Sequence, residues 1–324
     1  MKQYNITIIE YTDDKSNEWD NFVLNSNNGT IFHQQKFLAY HPTNKFNFNH
    51  YLIYNNNTLV AILPGGYDAI NKTYWSPTGA SYGGIITQNI TFELAINIVD
   101  KLIQFFKDKG ANDIYIIPPP LIYSKIYNQH IEYAMLYRQF DFQHHYISHT
   151  LNLDNNYNLI FAKKIKSIIN IANANPNLII NEVNSFDTIY PILLNNKAKH
   201  NATPTHSLND LIKLKNTFPT KIRQFNVTYN DKVIAGSTMF LANDCVALCF
   251  YNVLDYDYQH LHPTYLLADY LIKWARENGY KWFDFGVSQD TTADNPMTPS
   301  LSLIHFKEHF NMRGIFRSTY HLSL

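Results

Sequence analysis

The chain is short of charge. Only 16% of its 324 residues are Asp, Glu, Lys or Arg, and the 26 basic and 26 acidic side chains cancel. A protein that lives by gripping phosphate backbones carries a basic excess, so the balance argues against a nucleic-acid partner. Cysteine is almost absent. The two present, Cys245 and Cys249, sit in "NDCVALCFYNV", which alternates like a strand. Four residues apart on one face, they stand roughly 13 Å from each other at strand rise, beyond disulfide reach. Free thiols and a cytoplasmic protein are the expectation. Apolar runs long enough for a membrane helix are also missing. The first ten residues, MKQYNITIIE, read as a strand rather than a secretion leader. Polarity comes mostly from Asn, Thr, Ser and Tyr, so N-x-T triplets such as those at Asn71 and Asn201 carry little weight as glycosylation sites.

What remains is ample core material, with 45% hydrophobic residues and a length that fits two domains of about 150 residues. The chain also repeats itself. "YLIYNNNTLVAILPG" (51–65) matches "FNVTYNDKVIAGSTMF" (225–240), each a strand, an Asn-rich turn and a second strand. "AINIVDKLIQFFKDKGANDIYI" (95–116) matches "TYLLADYLIKWARENGYKWFDFG" (264–286), each an amphipathic helix closed by glycine and followed by a short apolar strand. Gly110 corresponds to Gly279. The spacing differs by five residues between the two matches, as one loop insertion would produce. The ordered match predicts a duplication, with domains at 1–152 and 153–324. Between the repeats, helices are expected over 158–172, 188–199 and 207–218, the last opened by Ser207 and Asp210. The stretch "LIINEV" reads as a strand. A long polar loop over 286–300 precedes a final helix.

Two motifs invite chemical readings that their contexts oppose. Gly79, Ser81 and Gly83 spell G-x-S-x-G, the signature of a hydrolase nucleophile elbow, which needs a strand before the serine and a helix directly after it. Here Pro77 stands upstream and the extended "GGIIT" follows, so Ser81 is not expected to be a nucleophile. The glycines instead suit a tight turn or a close approach to a ligand. "HFKEH" (305–309) matches the inverted zinc-peptidase motif, but a third ligand should follow, and His321 is the sole downstream candidate; no metal is expected. His144, His145 and His149 fall in a strand-like run without carboxylates and read as surface residues, or at most as acceptor contacts.

The repeat and its flanking phrases carry a resemblance. "GTIFH" (29–33), "SYGG" (81–84), "FAKKIKSIINIA" (161–172), "IAGSTMF" (234–240), "WARENGYKWFDFG" (274–286) and "HFKEHFN" (305–311) stand in an order that resembles the FemAB-like superfamily of Fem-type aminoacyltransferases and acetyltransferase-like relatives. These carry two GNAT-like domains in tandem. The resemblance spans nearly the whole chain. It implies an α/β fold of two GNAT-like domains, each a mixed, mainly antiparallel sheet flanked by helices, with chemistry in the cleft between them. It also implies acyl transfer to an amine of a small-molecule acceptor, such as an amino sugar or cell-envelope precursor. The donor would be acyl-CoA as in GNAT enzymes, or aminoacyl-tRNA as in Fem enzymes. Two features depart from the pattern. The glycine-rich pyrophosphate loop of GNAT enzymes is replaced by "NVLDYDYQHLHPTY", and the helical-hairpin insert common in tRNA-using Fem enzymes is missing. A degenerate, non-catalytic module that binds a glycan precursor or a partner protein is the alternative reading.

The candidate residues follow from this resemblance and from strand ends. Lys307 stands where the Fem "FK" lysine stands, near the donor or transition state; the bland alternative is a solvated helix lysine. Asp284, at the end of a strand, would act as a base or orient one. Tyr251 and Asn252 would meet the leaving group or acyl oxygen. His262, Pro263, Thr264 and Tyr265 would open a helix toward donor phosphates. Trp75 and Tyr82 would stack on a sugar or base, Lys164 and Lys166 would touch an acceptor phosphate, and Lys199, His200 and His206 would approach the acceptor.

Overall fold

A computed structural model describes residues 4–154, 161–199, 201–290 and 292–324. In chain order, the elements up to the middle are β1 (Ile6–Glu10), α1 (Ser16–Asn25), α2 (Gln35–Leu38), β2 (Tyr51–Asn55), β3 (Thr58–Leu63), β4 (Gly66–Asp68), β5 (Thr73–Ser76), β6 (Ile86–Thr87), α3 (Phe92–Asp108), β7 (Asp113–Ile116), α4 (His130–Tyr137) and β8 (Asp141–Asn152). There follow α5 (Lys163–Asn173), β9 (Leu178–Val183), α6 (Tyr190–Ala198), α7 (Leu208–Thr217), β10 (Ile222–Tyr229), β11 (Lys232–Leu241), β12 (Val246–Leu254), α8 (Pro263–Glu277), β13 (Trp282–Val287), α9 (Leu301–Glu308) and β14 (Arg313–Ser323). The start of the helix expected over 158–172 lies outside the described residues. The chain divides into two compact units, one made of residues 1–145 and 316–324, the other of 146–315.

The first unit holds a sheet ordered β1-β2-β3-β6 and the strands β4-β5-β7-β14. Helix α3 buries Ala95, Ile98, Val99, Leu102 and Phe106, an i, i+3, i+4, i+7 stripe, against Tyr51, Leu63, Tyr74 and Ile114. Residues 77–85, which contain the G-x-S-x-G run, connect β5 to β6, and no helix begins until Phe92. Ser81 is therefore on a loop between strands, not at an elbow.

The second unit is built on the strands β8-β13-β12-β11-β10-β9. All neighbours are antiparallel except β12 and β13. Helix α8 covers this sheet with Leu267, Leu271 and Ile272, packed on Phe225, Val227, Met239 and Phe283. Helix α7 opens with a capping box in which Ser207 and Asp210 satisfy each other's backbone N–H groups.

The repeated segments fold alike. Both predicted hairpins form, β2–β3 and β10–β11, each with a register shift near its turn. Helices α3 and α8 end in the same way. The glycine takes a left-handed φ, +71° at Gly110 and +82° at Gly279. The residue after it donates to the carbonyl five positions back, Ala111 to Phe106 and Tyr280 to Ala275, as in a Schellman cap. A strand follows in both cases and pairs in parallel with a neighbour, β7 with β5 and β13 with β12.

Candidate active site

The parallel pair β12 and β13 is the feature from which a site can be built. Their ladder runs only from Val246–Trp282 through Ala247–Phe283 to Leu248–Asp284. Both strands continue, but no further pairing joins them among the described residues. The cause is irregularity in each strand. On β12, Tyr251 faces Thr238 and Cys249 faces Met239, so Phe250 is an extra residue in the ladder, and such a bulge bends its strand. On β13, register with β8 shifts between Asp284 and Val287, and Gly286 takes φ +71° there, a conformation that favours glycine. The strands thus diverge past Leu248 and Asp284, leaving one edge of β12 without a strand partner. The far end of that edge is closed by Asn196 of α6. Its side chain donates to the Leu254 carbonyl at 2.7 Å and accepts from the Leu254 N–H at 2.9 Å, in place of a neighbouring strand.

Two of the residues singled out from the sequence meet beside this opening. Tyr251 is buried and its hydroxyl lies 3.0 Å from His206 Nδ1. The same hydroxyl accepts the His206 backbone N–H at 3.2 Å. Burial pushes the phenol up to about 12, so it holds its proton at neutral pH. The imidazole packs edge-on to Phe250 and Tyr251. Asn252, on the opposite face of the strand from Tyr251, accepts from the Ser237 hydroxyl at 2.9 Å.

At the end of β13, Lys307 is 1% exposed, so it is not a solvated helix lysine. Its Nζ donates to the carbonyls of Gly286 and Val287, both at 2.8 Å, and to Ser288 Oγ at 2.9 Å. Burial lowers its pKa to about 8, against the opposing pull of the buried Asp284 carboxylate. Asp284 Oδ1 accepts the Gly286 N–H at 2.7 Å. Ser288 Oγ is also 2.8 Å from His149 Nδ1. An ammonium can only donate, so Ser288 accepts from Lys307 and passes its own proton toward His149. Burial, followed by the nearby Lys307 charge, lowers the His149 pKa. A continuous hydrogen-bonded line therefore runs Lys307–Ser288–His149. Cys249, whose thiol burial pushes up to about 12, is close enough to both Asp284 and Lys307 to feel their charges.

His149 corrects the sequence reading, which placed this histidine on the surface. It is buried. The signal was present, since alternation along β8 puts His149 on the same face as Leu151, a core residue. Ser288 and Asn196 were also missed. Asn196 left no trace, because a helical asparagine that closes a strand edge looks like any other.

The helix start expected to hold phosphates has an unusual form. His262 caps α8 in a left-handed conformation, φ +56°. Pro263 has no N–H, and the N–H groups of Tyr265 and Leu266 both donate to the His262 carbonyl. Among the described residues, Thr264 is left as the one first-turn amide with no backbone partner. Tyr265 packs its ring on Phe306 and Phe310.

The other candidates are dispersed. Trp75 lies on β5 in the first unit, stacked on Tyr115 at 3.9 Å between ring centroids and 39% exposed. Tyr82, also in the first unit, is buried beneath the Arg317 guanidinium. Lys164 and Lys166 are exposed on α5. Lys199 places Nζ 3.6 Å from the centroid of the Tyr256 ring. His200 lies outside the described residues. Among the described residues, no group of three His, Cys, Asp or Glu is placed to hold a metal ion.

The comparisons with known proteins agree with this architecture. The crystal structure of FemX superposes with TM-score 0.71 at 12% identity, covering 98% of this chain and 97% of that one. A tandem GNAT protein from the clavulanic acid biosynthesis pathway gives TM-score 0.53 at 9% identity, covering 98% of each chain. The structure of L-PGS from Bacillus licheniformis gives TM-score 0.54 at 10% identity, covering 82% and 81%. No curated protein matches in sequence. The fold is thus that of tandem GNAT-like proteins. The sequence model of the FemAB family matches residues 162–316, which include the strand opening, Tyr251, Asp284 and Lys307, so the resemblance to the FemAB-like superfamily holds and this stretch of the chain is similar to that family.

Proposed function

We propose that the chain is an N-acyltransferase that moves an acyl group from an activated ester or thioester to an amine on a small-molecule acceptor, such as an amino sugar or cell-envelope precursor. The observation that carries this reading is the opening between β12 and β13. An acyl donor laid along the free edge of β12 finds backbone N–H groups that can hold its carbonyl as negative charge develops there. The acceptor amine attacks the carbonyl carbon, an N–C bond forms, and the C–S or C–O bond to the leaving group breaks. Tyr251, protonated and within hydrogen-bond reach of His206, gives its proton to the departing sulfur or oxygen, and the proton lost by the amine restores it. Most of the acceleration comes from holding donor and neutral amine together. Lys307, with three acceptors engaged, acts as a positioning residue that fixes the turn at 286–288, and Asp284 balances its charge.

The start of α8 bears on the donor. Acyl-CoA presents a pyrophosphate that wants several free N–H groups, and Pro263 with the engaged amides of Tyr265 and Leu266 offers few. This favours, as a second reading of the donor, an aminoacyl ester such as aminoacyl-tRNA over acyl-CoA. The test supplies acetyl-CoA in one arm and aminoacyl-tRNA in the other, with amino-sugar acceptors, and follows the product by mass spectrometry. Transfer from either donor is expected, and Tyr251→Phe should slow it about a hundredfold without weakening donor binding in calorimetry. Donor binding without transfer would favour the non-catalytic module, and transfer undiminished in Tyr251→Phe would remove Tyr251 from the chemistry.

A further inference from the structure

The G-x-S-x-G loop of the first unit is read from its two flanks by basic side chains. On one side, Arg317 of β14 lies over the Tyr82 ring, its guanidinium carbon 4.5 Å from the ring centroid, and donates through one terminal nitrogen to the Ser81 carbonyl. Its Nε is buried and has no hydrogen-bond partner. Among the described residues no carboxylate pairs with it. On the other side, His33 is fully buried. Its Nδ1 accepts the Thr30 N–H at 2.9 Å, which puts the ring proton on Nε2. That N–H faces the Gly83 backbone, whose hydrogen bond offsets part of the burial that lowers the imidazole pKa to about 3. A buried polar group left unmatched costs about 1–3 kcal/mol, so the unpartnered Arg317 Nε, over the loop, calls for an explanation.

The unmatched Nε–H is a donor, so what completes it is an acceptor. The guanidinium has no counter-charge, so the acceptor is anionic. Arginine stacked on an aromatic ring, with a planar fork of donors, suits carboxylate and phosphate oxygens. We propose that the loop from Gly79 to Gly84 is the floor of an oxyanion-binding site in the first unit, with Arg317 as its principal ligand and Tyr82 as the platform that holds the guanidinium in place. The site goes beyond the proposed transferase activity and stands or falls separately from it. It gives the serine of the G-x-S-x-G run a role through its carbonyl rather than its hydroxyl.

The test titrates inorganic phosphate and, separately, acetate into the full-length protein, with chloride of equal ionic strength as control, and follows binding by thermal shift and calorimetry. A response to one or both anions above the chloride control is expected, and the stronger arm identifies phosphate or carboxylate as the fitting group. Arg317→Gln should weaken binding about tenfold to a hundredfold. If Arg317→Gln fails to fold by circular dichroism, Arg317→Lys, which keeps charge but loses the fork, should still weaken binding several-fold. No response of the folded parent to either anion, or equal binding by the folded Arg317 variant, would overturn the site.

Discussion

Lys307 has two identities, one visible in the letters and one not. Its place after Phe306 matched a family phrase, but α9 gives no clear amphipathic pattern from which to read that the lysine turns inward. Burial was decided by distant partners, the Gly286 and Val287 carbonyls and Ser288 Oγ, which no local pattern announces. That burial has a pH signature. The folded-state pKa is about 8, below the unfolded value of about 10.4. Under pH 8 the ammonium is charged in both states and its desolvation penalty is fully present. Between pH 8 and 10.4 the unfolded chain binds more protons, so stability rises with pH across that window. The gain is on the order of 3 kcal/mol. We predict that Lys307→Met removes it, so that urea unfolding at pH 7 and pH 9.5 shows a steeper rise for the parent than for the variant. Equal slopes would mean the lysine is solvated. Tyr251 and His206 show the same limit of reading from letters. Each was chosen separately, for different roles, and only the fold puts 3.0 Å between them.

At the level of elements, much more was legible, because hairpins and capped helices are written locally. Asn-rich turns between alternating strands, and glycine after an amphipathic run, require no tertiary knowledge. The helix caps allow a quantitative check in duplicate. A methyl group added at Gly110 or Gly279 would meet nothing within 4 Å, so the cost of alanine at either comes from the positive φ alone. We predict that Gly110→Ala and Gly279→Ala each destabilise by about 1 kcal/mol, measured by denaturant titration. Unequal losses would mean the two turns are not equivalent. The opening between β12 and β13 was not legible. It depends on a bulge at Phe250 and a register shift after Asp284, and the alternation of residues reads the same with or without them.

For the whole molecule, the sequence reveals the duplication but not how the chain is shared out. A repeat tells where copies begin, and cannot tell that residues 316–324 lie in the unit formed by residues 1–145. Strand β14 sets Tyr320 against Ile116 and Leu322 against Ile114 on β7, and Tyr320 is part of the first unit's core. A chain cut after Ile315 therefore loses an interior strand pairing of the first unit. We predict that such a truncation exposes the β7 amides to rapid hydrogen exchange while those of β10 and β11 keep their protection. Protection of β7 equal to that of the full chain would show that the strand is dispensable.

The same arrangement dictates the timing of synthesis. Ribosomes release the early residues of the first unit long before the strand that closes it, whereas residues 146–315 emerge as one uninterrupted stretch. The half that starts first must finish last, waiting with an open seam while its twin is made. A premature stop just before Phe316 would thus injure the half that residues 1–145 begin.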